Sequence, residues 1–178
     1  MRLFTAIQIA PNVVDNLVAA LAGGIRVPVE NLHITLKFIG AWPEERLPEL
    51  MAALGAVAIA APIPITVSGL GLFPDARHPR FFYAGVQGGT GLAALAAAID
   101  RALAPLGVAS EKREYRPHIT LAKFRDPGGL PALPELDFGS FSARSFHLYS
   151  SRPGAAASVY TTLATYDLMR GNSVECTA

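Results

Sequence analysis

The apolar positions of the chain change period several times, and each change marks an element. Leu3 to Ile9 is an apolar run containing β-branched residues, which predicts a central strand. Pro11 stands where a first helical turn accepts it, and Val13, Val14, Leu17, Val18 and Leu21 follow at helical spacing until Gly23 and Gly24 end the helix. Leu32 to Gly40 reads as a second strand. Trp42 and Pro43 open a second helix, with Leu47, Leu50, Met51, Leu54 and Val57 on one face. Ile63 to Leu72 and Arg80 to Gln87 form a strand pair about a turn containing Pro74, Asp75 and Pro79. A third helix covers Thr90 to Leu106, with Leu92, Leu95, Ile99 and Leu103 toward the core. His118 to Phe124 is a strand and Asp126 to Pro134 a loop rich in proline and glycine. Phe138 to Tyr149 and Val159 to Leu168 complete the sheet, and a polar tail, residues 169–178, frays beyond it. Mixed strands and helices make this an α+β or mixed α/β chain and not a sandwich or a bundle.

Composition narrows the class. The chain has 178 residues, enough for one domain with a sizeable core or for two lobes sharing one. It is 51% apolar and 16% charged, with a mean hydropathy of +0.34, and this excludes disorder over most of its length. The most apolar stretch, Leu50 to Val67, is broken by Gly55, Pro62 and Pro64, so no membrane span is expected. The N-terminus has no signal-peptide pattern, and the expected location is the cytoplasm. A net charge of +1 offers no one-signed field to a long duplex. The single cysteine, Cys176, leaves no disulfide framework and no cysteine zinc site. The glycines at 85, 88, 89 and 91 lack the pattern of a phosphate-binding loop.

The candidate chemistry is a repeat. His33-Ile34-Thr35-Leu36 and His118-Ile119-Thr120-Leu121 are identical tetrapeptides, 85 residues apart (118 minus 33), and suggest duplication of a half-domain. On a strand the side chains alternate, so each histidine shares a face with its threonine, about 7 Å away, while Ile and Leu take the other face. Two such pairs lining one cleft hold a phosphoryl group between them. One imidazole accepts a proton from water and the other gives one to a leaving oxygen. The hydroxyls donate to non-bridging oxygens. A lone His-x-Thr is an ordinary half-buried strand residue; two identical copies on two strands point to a shared role. Metal binding needs three or four ligands, and neither a His-x-His nor an aspartate cluster accompanies these histidines. His78 lies in a loop and is expected to be exposed, and His147 lies on a late strand as a packed or edge residue.

Longer runs carry a family likeness. Arg2-Leu3-Phe4-Thr5-Ala6-Ile7, the run from Glu30 to Gly40 around the first motif and the run from Tyr115 to Phe124 around the second resemble the two-histidine phosphoesterase superfamily. Within it they are similar to the LigT-like RNA 2′,3′-cyclic phosphodiesterases, as are Gly69-Leu70-Gly71-Leu72-Phe73-Pro74 and Leu148-Tyr149-Ser150-Ser151. The likeness covers residues 1–168. It implies one two-lobed α+β domain with pseudo-symmetric lobes, antiparallel-rich sheets flanked by helices, and a central cleft carrying one motif from each lobe. It also implies hydrolysis of a 2′,3′-cyclic phosphate end of RNA to a 2′-phosphate by a monomer, with no metal or other cofactor. Carried onto matching positions, His33 is the acid that protonates the 3′ oxygen, His118 is the base that activates water, and Thr35 and Thr120 hold the phosphate; the residues alone give the pair and leave the roles interchangeable. Where the family has a tryptophan after an arginine upstream of the first motif, this chain has Arg26-Val27.

Further substrate-binding candidates are Arg116, two residues before His118, Lys37, two beyond Thr35 and on its face by strict alternation, and Phe4, placed to stack a terminal base. Alternation puts Phe38 on the opposite face, in the core. Lys112, Arg113, Arg116, Lys123 and Arg125 make a modest basic patch suited to an RNA end. A small cyclic nucleotide or an ADP-ribose cyclic phosphate is the alternative substrate, since it needs no long basic track. A module that binds RNA ends without catalysis is the third reading, opposed by intact His and Thr at all four motif positions.

Overall fold

A computed structural model describes residues 1–21, 25–57, 59, 61–74, 78–123, 135–155 and 157–168. Eight strands and three α-helices form an α+β domain: β1 (Arg2–Gln8), α1 (Pro11–Ala20), β2 (His33–Ala41), α2 (Leu47–Gly55), β3 (Ile63–Phe73), β4 (Phe81–Gln87), α3 (Gly89–Leu103), β5 (His118–Lys123), β6 (Asp137–Ala143), β7 (Ser145–Arg152) and β8 (Val159–Asp167). Phe124, the loop from Asp126 to Pro134, Gly23, Gly24 and the tail lie outside the described residues. Among those described, no helix is long and apolar enough to cross a membrane.

All eight strands belong to one antiparallel sheet in the order β6-β3-β4-β5-β2-β1-β7-β8. Two four-stranded halves meet at its centre, where β2 and β5 share a single paired position, Ile34 with Ile119. These are the two pseudo-symmetric lobes, and the sheet is continuous through both. The lobes are not the two halves of the sequence. The second lobe, β3 to β6, is contiguous; the first is completed by β7 and β8 from the end of the chain. The apolar run Phe138 to Tyr149 is accordingly two strands. It breaks at Arg144, and β6 and β7 pair in different lobes.

One face of the sheet is packed under the helices. Ile34 and Ile119, fully buried, join both lobes to a single core with Leu50, Leu95, Ile99 and Phe138. Burying a side chain of this size is worth about 1.5–3 kcal/mol. The helices cross between lobes: α1 follows β1 yet packs on β6, where Asn16 Nδ2 donates to the Phe138 carbonyl at 3.0 Å, and α3 follows β4 yet packs on β2 as well as β3. The second helix starts later than the pattern suggests. Pro48 lacks an N–H and is tolerated only in a first turn, so Glu44–Arg46 form a 3-10 turn and α2 begins at Leu47. Pro105 does the same to the third helix, which finishes as a 3-10 turn over Ala104–Leu106.

Both motif strands carry an extra residue at the same place. Between the pairs Ala6–Thr35 and Thr5–Lys37 the additional residue is Leu36; between Tyr83–Thr120 and Phe82–Ala122 it is Leu121. Each bulge reverses the alternation, so Leu36 and Lys37 are both buried, as are Leu121 and Ala122. Lys37 therefore does not share the face of Thr35. Its ammonium is buried under α3, bonded to Asp100 and, at 2.6 Å, to the Ala109 carbonyl. Burial works against the Asp100 charge, but hydrogen bonds from Lys37, the Glu111 N–H at 3.2 Å and Ser110 hold its carboxyl below the usual range.

Lys37→Met leaves that carboxylate without its cation. The expected loss is about 2 kcal/mol, between the values for surface and fully buried pairs, read as a lower urea midpoint at unchanged slope.

Candidate active site

The face away from the helices carries the motifs. In the register set by Ile34 and Ile119, His33 stands across from Thr120 and Thr35 across from His118. Along each strand the histidine and its threonine are about 7 Å apart at the backbone. Beyond their one pair the strands part, and each gap is bridged from the other lobe. The N–H groups of Arg26 and Val27 donate to the Leu121 carbonyl at 2.8 and 3.0 Å, and the Tyr115 hydroxyl donates to the Thr35 carbonyl at 2.9 Å. Burial raises the Tyr115 hydroxyl pKa, so it stays protonated and a donor.

The imidazoles are held alike. His33 Nδ1–H donates to the Asn31 carbonyl at 2.6 Å, and His118 Nδ1–H donates to the Arg116 carbonyl at 2.8 Å, in each case two residues back. A carbonyl only accepts, so Nδ1 carries the proton in both rings and Nε2 is left for chemistry. In the neutral ring His33 Nε2 accepts from the Thr35 hydroxyl at 3.0 Å. Asn31 serves twice, since its buried amide donates to the Ser158 carbonyl at 2.7 Å and draws the turn between β7 and β8 toward His33.

The surroundings of the two rings differ. His118 is exposed. His33 is half-buried among Phe4 at 5.0 Å between centroids and Tyr160 at 5.5 Å. Burial depresses the His33 pKa; the Asn31 carbonyl opposes that, and the charges of His118 and Lys123 add to it.

The remaining candidates divide. Phe4 is 4% exposed, stacked on Tyr149 at 5.2 Å and met by the edge of Tyr160 at 4.9 Å, so it backs His33 and has no free face for a base. Phe38 is the reverse of its expectation. A second extra residue in β2, Ile39, lies beyond it, and the bulge at Leu36 has already moved Phe38 to the open face, where it pairs with Phe4 and is 72% exposed. Lys123 is its counterpart after the bulge in β5. Arg116 precedes β5; its guanidinium is exposed, 3.6 Å from Glu114, and its carbonyl is the part that touches His118. His78 is exposed, and His147 is a half-buried strand residue bonded through Nδ1 to the Thr165 hydroxyl at 2.9 Å. Strand pattern alone did not flag Asn31, Tyr83, Tyr115 or Tyr160; only the place of Asn31 two residues before a histidine carried any signal. Among the described residues no three of His, Cys, Asp and Glu are grouped to hold a metal ion.

His33 is expected to titrate below the ordinary imidazole value of about 6.5, followed by the NMR shifts of its ring protons. Lys123→Met removes a cation that disfavours the imidazolium, so the His33 midpoint moves up; an unmoved midpoint excludes Lys123 as a cause.

Comparison with known proteins bears on the family and the fold. Residues 8–154 match the model of the 2′-5′ RNA ligase superfamily. A relative from Aeropyrum pernix named RNA 2′,3′-cyclic phosphodiesterase is 35% identical over 142 residues, 75% of this chain and 80% of its own. The crystal structure of TT0787 of Thermus thermophilus superposes with a TM-score of 0.83 at 31% identity, covering 95% of this chain and 98% of that one. The structure of E. coli LigT complexed with 3′-AMP does so at 0.81 and 26%, with the same coverage. With a matched span that takes in both histidine motifs and the strands between them, the chain belongs to the 2′-5′ RNA ligase superfamily.

Proposed function

We propose that the chain hydrolyses RNA 2′,3′-cyclic phosphate ends to 2′-phosphates without a metal ion, with His33 as acid, His118 as base, and Thr35 and Thr120 as phosphate ligands. One observation carries the reading: both imidazoles spend Nδ1 on a main-chain carbonyl and keep Nε2, one from each side of a single strand pair. The activity in the name of the Aeropyrum relative supports the substrate class.

The roles are those the family likeness implies, with His118 on the exposed side and His33 half-buried. His118, on the wet side, takes a proton from water at Nε2 as the water oxygen bonds to phosphorus. The bond from phosphorus to the 3′ oxygen breaks, and His33 Nε2–H passes its proton to that oxygen. The products are a 3′-hydroxyl and a 2′-phosphate, and proton exchange with solvent resets the pair. His33 must be cationic for this, although burial and nearby positive charge favour its neutral form in the free chain. The bound phosphodiester supplies the missing anion and raises the His33 pKa. Once Nε2 is protonated it no longer accepts from Thr35, whose hydroxyl turns to the phosphate; an aligned donor of this kind is worth roughly 10²–10³ in rate. The exposed ring of Phe38 stacks the terminal base.

Turnover of a short oligonucleotide with a cyclic phosphate end, compared with a cyclic mononucleotide, tests the substrate class; preference for the mononucleotide favours the small-molecule alternative. On the preferred substrate His33→Ala and His118→Ala each lower kcat by roughly 10²–10⁴, and the double variant falls well short of the product of the two losses. Near-normal turnover in either single variant removes that histidine from the mechanism.

Excess EDTA leaves the rate unchanged. A chelator-sensitive rate restored by zinc or manganese means that the histidines are metal ligands.

A further inference from the structure

One hydrogen bond at Nδ1 fixes the tautomer of an imidazole but leaves the ring free to tilt about that bond. In each lobe a tyrosine ring meets the imidazole from the side, at His33 in addition to the Thr35 hydroxyl and the Phe4 ring. Tyr160 of β8 meets His33 edge to face, with centroids 5.5 Å apart and planes at 83°. Tyr83 of β4 meets His118 at 5.6 Å and 65°. The pseudo-symmetry does not generate this likeness: β4 is the neighbour of β5, whereas β8 stands three strands from β2. Tyr160 arrives because Asn31 ties the β7–β8 turn down at Ser158.

Tyr83 arrives by a different device. Its partner on β3 is Gly71, and a Cβ at that position would stand 2.2 Å from Cζ of Tyr83 and 2.3 Å from its hydroxyl oxygen. The phenol ring lies directly on the Gly71 backbone. Gly71 is not among the glycines with positive φ, so its backbone accepts alanine, and the three atoms nearest to the added methyl all belong to Tyr83. This accounts for one glycine of the Gly69 to Pro74 run, which the proposed chemistry otherwise leaves unused.

We infer that Tyr83 and Tyr160 are positioning residues that hold the His118 and His33 rings from the side, and that Gly71 is the socket that seats Tyr83. The contact is made by the ring, not the hydroxyl. A tilt that moves Nε2 by about 1 Å costs up to about 100-fold in rate. The inference rests on the acid and base roles proposed above; wild-type turnover lost in His118→Ala establishes those roles independently, so their failure and that of the tyrosines are separable.

The test measures kcat and KM on the oligonucleotide with a cyclic phosphate end. Tyr83→Phe and Tyr160→Phe keep the wild-type rate. Tyr83→Ala and Tyr160→Ala lower kcat about 10- to 100-fold with KM within about twofold. Gly71→Ala reproduces the loss of Tyr83→Ala and adds nothing in the Tyr83→Ala background, since the methyl then has no ring to displace. Should Tyr83→Ala fail to fold, Gly71→Ala decides alone: a lowered kcat with a wild-type unfolding transition supports the socket, and an unchanged kcat overturns it. A Gly71→Ala loss of equal size with and without Tyr83, or an effect on KM in place of kcat, also overturns the inference.

Discussion

A single backbone pair, Ile34 with Ile119, organises the molecule. Each isoleucine is the second residue of its motif, so pairing them sets histidine against threonine on both sides. Their side chains point into the core under the helices and are fully buried. The hydrophobic effect thereby fixes the register of the polar array on the opposite face. A slip of either strand by one residue would send its isoleucine to water and its histidine under the helices. Because the strands pair only once, the rest of their length is free to diverge.

The bulges refine that arrangement. Without them, alternation would carry Lys37 to the open face and Phe38 to the core. With them, the lysine joins Asp100 beneath the sheet, and the aromatic ring emerges beside the site. The same step in β5 delivers Lys123, so equivalent positions present an apolar ring on one lobe and a cation on the other. The lobes differ in solvation as well: rings enclose His33 while His118 is open. Identical motifs therefore sit in unlike surroundings, and burial depresses the pKa of His33.

The strands, the helices and the two motifs were legible because each rests on local periodicity. The α+β class, the paired lobes and the family likeness were readable from runs such as Glu30 to Gly40. The positions where sequence and structure differ have two causes. Unbroken alternation puts Lys37 and Phe38 on the wrong faces, and a bulge has no signature in Leu36 that separates it from any strand leucine. Phe4 reads as a free ring in the sequence, which does not show that Tyr149 and Tyr160, both far along the chain, close over it. Tyr160 and Asn31 were silent for the same reason: their roles arise from a turn brought across the sheet by tertiary contact.

The interleaving of the lobes also bears on how the molecule is made. Chains emerge from the ribosome N-terminus first. The second lobe, β3 to β6, is one unbroken stretch and can pair as it appears. The first lobe begins earlier, with β1 and β2, yet lacks half its sheet until β7 and β8 arrive. Ser158 and Tyr160, which Asn31 and His33 meet, belong to that last hairpin. The histidine translated first is thus the one whose surroundings are completed last.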